Sequence, residues 1–146
     1  MVPFVVLIAA WLGLRGLGAL GVAPLASWQT DAAYALALMF LVTASAHFGK
    51  SRADMIAMVP ERLPLREQAV TLTGALEILG AAGLLLSATR TAAGAGLILM
   101  MLAMLPANIS AARRNVPLRG RRPTPLWLRI PLQAVFIGVT IFAAAL

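Results

Sequence analysis

Apolar residues run through the chain in five long stretches, separated by shorter segments where proline, glycine or charge accumulates. About 20 apolar residues make a helix long enough to cross a hydrocarbon core of about 30 Å. The stretches cover residues 2 to about 25, 31 to about 49, about 68 to 87, 92 to about 112, and 126 to 146. The pattern predicts an all-α, polytopic transmembrane bundle of five spans. Residues 24–30 form a turn with Trp28 at an aromatic-belt position, and residues 88–91 form a tight turn. Residues 50–67 alternate charges with Met, Ile and Leu. Two readings of that segment stand: an interfacial helix over residues 53–59 ended by Pro60, or a plain linker.

The first run follows Met1 without a basic leader and is read as a retained helix rather than a cleaved signal. Arg15 lies deep inside it. Gly13, Gly16, Gly18 and Gly21 suit close helix contact or a bend.

Composition strengthens the membrane reading. Of 146 residues, 61% are hydrophobic and 12% charged, with a mean hydropathy of +0.90; soluble domains carry about a quarter charged residues. So small a water-soluble core could not hide that apolar surface. Cysteine is absent, which excludes disulfides, thiol relays and cysteine-held metal or iron–sulfur sites. The single histidine is too few ligands for a zinc or haem site built by this chain alone, so no metal and no intrinsic cofactor is expected.

The net charge of +7 is unevenly placed. Lys50, Arg52, Arg62 and Arg66 follow the second span, and Arg113, Arg114, Arg119, Arg121, Arg122 and Arg129 surround the last loop. The positive-inside rule puts these ten in the cytoplasm, giving a cytoplasmic N-terminus and an exterior C-terminus. Arg113, Arg114, Arg119, Arg121 and Arg122, with Trp127, read as contacts for anionic lipid or a cytosolic partner. Nucleic acid is excluded as a partner, since the chain offers neither a suitable fold nor interleaved surface aromatics.

Glu77 is the most informative polar residue. Counted along its own span it lies about 14 Å deep, near the bilayer centre. A bare carboxylate there is costly, so protonation or pairing is expected. Thr73 precedes it by one turn, while Gly80 and Ala81 follow, so its face is small and polar and points into the bundle. Three readings stay open: a structural anchor paired with Arg15 or His47, a proton, quinone or ligand site, or a lipid-facing position. His47, Asn108 and Gln133 lean toward the cytoplasmic half and share a cavity with Glu77 in the second reading. An unperturbed imidazole titrates near neutrality, which makes proton exchange or a quinone-carbonyl contact a possible role for His47, although a satisfied interfacial histidine is the plainer role. Pro106 removes a backbone donor and frees the Leu102 carbonyl, so a kink is expected, with Asn108 restoring bonds around it or lining the cavity. Met100, Met101 and Met104 read as core filler.

The chain resembles the DoxX-like membrane family. The resemblance rests on His47-Phe48 at the end of a span, Pro60 with Leu63-Pro64 in the next loop, and Thr73-Gly74 with Glu77-Ile78 and Gly80-Ala81. Arg90 with Ala92, and Pro106-Ala107-Asn108, complete it over about residues 32–146. It implies a four-helix core over residues 28–146, including cytoplasmic loops 50–67 and 113–125, with residues 1–27 an additional helix that departs from the family pattern. Some relatives are subunits of thiosulfate:quinone oxidoreductase and others associate with oxidative-stress proteins. The expected role is therefore a bacterial inner-membrane subunit or accessory of a quinone-linked or oxidative-stress redox system, not catalytic alone, with bound quinone, an oxidoreductase partner and a homodimer as its expected associates. A small-solute or proton transporter and a non-catalytic scaffold stand as alternatives.

Overall fold

The computed structural model describes residues 2–22, 25, 27–118, 120 and 122–145; Pro24, Arg119 and Arg121 lie outside them. The described residues form six helices: α1 Val2–Ala19, α2 Trp28–Phe48, α3 Arg52–Met58, α4 Arg66–Leu85, α5 Arg90–Arg113 and α6 Leu126–Ala144. All except α3 are long and apolar enough to cross a membrane. The all-helical fold and the five spans agree with the hydropathy pattern, and residues 50–67 contain a short helix rather than a plain linker. The first span is shorter than expected. It ends at Ala19, and the chain turns through Gly21 at φ 95°, a conformation glycine adopts without steric cost.

The central element is α2, which packs against α1, α4 and α6 and touches α3. Its buried residues include Ala32, Ala33, Ala35, Ala37 and Ala44, small side chains that let helices approach from several sides. Helices α2, α4, α5 and α6 pack in cyclic order, and α1 lies against α2. Leu36, Met39, Phe40, Leu84, Leu97 and Met100 fill the core. Leu72, Leu79, Leu99 and Trp127 are exposed outside it, as lipid-facing side chains are.

Side chains tie up the carbonyls that helix ends leave free. Arg90 Nε donates to Leu84 O at 3.0 Å, and Thr91 Oγ1 to Ala144 O at 3.0 Å. At the opposite end Arg114 donates to the carbonyls of Ala57, Met58 and Val59 at 2.9, 3.0 and 3.3 Å. Arg114 thus holds the C-terminal end of α3, a duty sequence reading did not assign to it. Arg114→Gln is expected to speed amide hydrogen exchange across Arg52–Met58 while exchange in α2 stays unchanged. Unchanged protection of α3 would show that the contact holds nothing in place.

Candidate functional site

Thr43 and His47 lie one turn apart on α2, and Thr73 and Glu77 one turn apart on α4. The two rows meet because Gly74 stands between Thr73 and Glu77. A Cβ at Gly74 would lie 2.6 Å from His47 Cβ and 2.9 Å from both His47 Cγ and Phe48 Cε2. Only a bare backbone lets α4 come this close to His47.

The close approach builds one polar cluster. His47 Nδ1 lies 2.8 Å from Val70 O and 3.2 Å from Thr73 Oγ1. His47 Nε2 faces Glu77 Oε1 at 3.5 Å, and Thr43 Oγ1 lies 2.7 Å from Glu77 Oε2. His47 and Glu77 are 1% and 5% exposed, whereas Thr43 and Thr73 are half-buried at the seam between the helices.

A carbonyl oxygen can only accept, so the Val70 contact places a hydrogen on His47 Nδ1. That leaves Nε2 as the nitrogen able to gain or lose a proton, directly opposite the Glu77 carboxyl. With one proton between them, the pair is either imidazolium with carboxylate or imidazole with carboxylic acid, and its net charge is zero in both forms. A net charge of zero is the state that low-dielectric surroundings favour. The Thr43 hydroxyl also reaches Phe40 O at 3.0 Å. It can donate to a Glu77 carboxylate, or accept from a carboxylic acid while donating to Phe40 O.

The offset between α2 and α4 sets what surrounds Glu77. Its partners occupy the end of α2: Thr43 is five residues and His47 one residue before Phe48, the last residue of that helix. Glu77 therefore lies roughly 8 Å from the end of α2, although it stands near the middle of α4. The first turns of α4 meet α3, where Arg52 reaches the Glu67 carbonyl and the Thr71 hydroxyl. Arg52 closes this end, donating to His47 O at 3.0 Å and to Thr71 Oγ1 at 2.9 Å.

Of the polar residues singled out from the sequence, His47, Thr73 and Glu77 come together, and the recorded bonds of the others lie elsewhere. Asn108 Oδ1 accepts from Arg129 at 3.0 Å, and Gln133 Nε2 donates to Met101 O, so these two residues join α5 to α6. The Met101 carbonyl neighbours that of Leu102, the one that Pro106 leaves without its helical donor. Helix α5 itself continues through Pro106 to Arg113. Arg15 does not meet Glu77. It donates to Asp31 Oδ2 at 2.9 Å, and its guanidinium carbon lies 5.3 Å from the centre of the Trp28 ring. Arg113, Arg122 and Trp127 are exposed, in keeping with a surface role. Among the described residues no group of three or more His, Asp or Glu side chains is placed to hold a metal ion.

Sequence reading missed Thr43 and Asp31. Thr43 was detectable as a hydroxyl one turn before His47, mirroring the Thr73–Glu77 spacing on α4. Asp31 carried the signal of an acid in the first turn of an apolar helix, where it complements the helix dipole.

No curated protein and no solved structure matches the chain. A family model matches residues 36–144, well over half of the chain; the match takes in Thr43, His47, Gly74 and Glu77 and leaves out α1 and Asp31. The chain thus belongs to the family described as Domain of unknown function (DUF8561).

Proposed function

We propose that this chain is a membrane subunit or accessory protein of a quinone-linked or oxidative-stress redox system, with the His47–Glu77 pair as its proton-exchanging site. The observation that supports the reading most directly is that pair: a carboxyl and an imidazole nitrogen 3.5 Å apart, buried between two spans, with the second nitrogen held by Val70 O. The neighbouring groups suit a quinone carbonyl, since the half-buried Thr43 and Thr73 hydroxyls flank the pair at the seam. When bound, a quinone supplies a couple of two electrons and two protons. The chain has no cysteine, and the electrons are assigned to the redox centre of a partner oxidoreductase. His47 and Glu77 hold one proton and pass it between Nε2 and Oε1, Thr43 turns its hydroxyl to match either form, and Gly74 keeps the helices close enough for the transfer.

In this reading α2, α4, α5 and α6 form the DoxX-like core and α1 is the added helix. The chain lies in a bacterial inner membrane with both termini where the basic residues put them, the N-terminus in the cytoplasm and the C-terminus outside. The family resemblance adds the association with thiosulfate:quinone oxidoreductase and oxidative-stress proteins.

Glu77→Gln tests the assignment because an amide keeps the shape and hydrogen bonds of the acid but cannot carry the exchanged proton. Wild type purified in mild detergent is expected to retain an oxidoreductase subunit or quinone by mass spectrometry. The variant should melt like wild type yet lose the quinone or its turnover. Wild type emerging alone and quinone-free, under conditions that preserve membrane complexes, would sink the redox reading and turn attention to proton flux in liposomes.

A further inference from the structure

On the outer face of α4, beside α3, lies a shallow, open depression of roughly 440 Å³ lined by Arg52, Glu67, Gln68, Thr71, Leu72 and Ala75. Its two ends differ chemically. The upper end carries a guanidinium, a carboxylate, an amide and a hydroxyl, whereas the floor runs onto Leu72 and Ala75. Beyond them the lipid-facing side of α4 continues through Leu76 and Leu79, 40% and 67% exposed. A polar head leading onto an apolar track is the outline of a phospholipid lying along a span.

The two charges narrow the choice of headgroup. Arg52 is held in position by His47 O and Thr71 Oγ1. The Glu67 carboxylate has no ion-pair partner among the described residues, although it lines the same groove. A fixed cation beside a free anion complements a zwitterion better than it complements an anion, which Glu67 would repel. Glu67 further selects for an ammonium bearing hydrogens, because a quaternary ammonium offers no donor to a carboxylate.

We propose that this groove binds an aminophospholipid of the phosphatidylethanolamine class, with its phosphate on Arg52, its ammonium on Glu67 and one acyl chain along Leu72 and Ala75. Glu67 projects from the first turn of α4 and is exposed, so its replacement by Gln leaves the packing of the bundle intact. The site stands independently of the redox reading, since neither the quinone nor the His47–Glu77 proton enters it. Arg52 does bond to His47 O, so an occupant of the groove would stiffen the end of α2 that carries His47.

Native mass spectrometry of the delipidated full chain, titrated separately with phosphatidylethanolamine, phosphatidylcholine and phosphatidylglycerol, tests the assignment. The ethanolamine lipid is expected to be retained about tenfold better than the choline lipid, the equivalent of about 1.4 kcal/mol. Glu67→Gln should erase that preference. Arg52→Lys should keep binding and Arg52→Gln lose it, and if Arg52→Gln fails to fold the Glu67→Gln result decides alone. Equal retention of all three lipids would overturn the proposal in favour of an unselective lipid shell. Strongest binding of phosphatidylglycerol, rising further in Glu67→Gln, would overturn it in favour of an anionic-lipid site.

Discussion

Arg15→Ala is expected to destabilise the protein by about 3–5 kcal/mol, the cost of leaving one member of a buried ion pair alone, and to cost more than Asp31→Ala. The asymmetry follows from burial. Asp31 is 0% exposed, so losing its partner strands a carboxylate that already has one unbonded oxygen, Oδ1. The Arg15 side chain is 24% exposed and stacks near Trp28, so without Asp31 it can swing its guanidinium toward the helix end. The double replacement should recover part of the loss, because no unpaired charge then remains. Unfolding by denaturing detergent in mixed micelles measures all three variants. Arg15→Ala proving no worse than Asp31→Ala would mean that the pair is solvated rather than closed. The remaining hold on α1 is apolar: Leu7 is fully buried in the core, and Trp11 packs edge-on to Trp28 at 6.3 Å and against Phe142 at 6.1 Å. Loss of the ion pair should therefore loosen α1 before it opens the rest of the bundle.

Gly74→Ala is expected to have the second large effect, on stability and on the proposed site together. A single methyl group at this position meets His47 Cβ at 2.6 Å, an atom at the root of its side chain that cannot turn aside. The helices must separate or His47 must leave its rotamer, which for an overpacked core costs about 1–3 kcal/mol. Either movement lengthens the 3.5 Å contact between His47 and Glu77. Gly80→Ala makes a useful comparison, since the atoms it meets are the Cγ and the two Cδ methyls of Leu97, the far end of a side chain that can turn aside more readily than a Cβ. At Gly96 an added Cβ meets nothing within 4 Å, so alanine there should be neutral or mildly stabilising. Thermal unfolding of the three variants ranks them. Should Gly74→Ala melt with Gly96→Ala, the α2–α4 contact is looser than described, and the proton-sharing geometry falls with it.

The five spans and the apolar outer surface of the bundle were legible in the sequence because they depend on local quantities, whereas the short helix after the second span was one of two readings that the sequence left open. A run of about 20 apolar residues has few alternatives to a helix in lipid, where every backbone group must be bonded within its own segment. The choice of Glu77, His47 and Thr73 was also legible, since a charged or polar side chain in such a run needs a reason to be there. Which of these groups meet is a different kind of fact. Arg15 and His47 were both candidate partners for Glu77, and nothing along the chain separates them. The pairing followed from the order of helices around α2, from the offset between α2 and α4, and from the absence of a side chain at Gly74. Asn108 and Gln133 show the same limit, for their depth along α5 and α6 resembles that of His47, yet the packing of those two helices joins them to Arg129 and Met101. Hydropathy and helical spacing are properties of a segment, and so the spans and the faces they present follow from the order of residues alone. Partners depend on which faces are brought within about 3 Å of one another, and that is a property of how the helices pack.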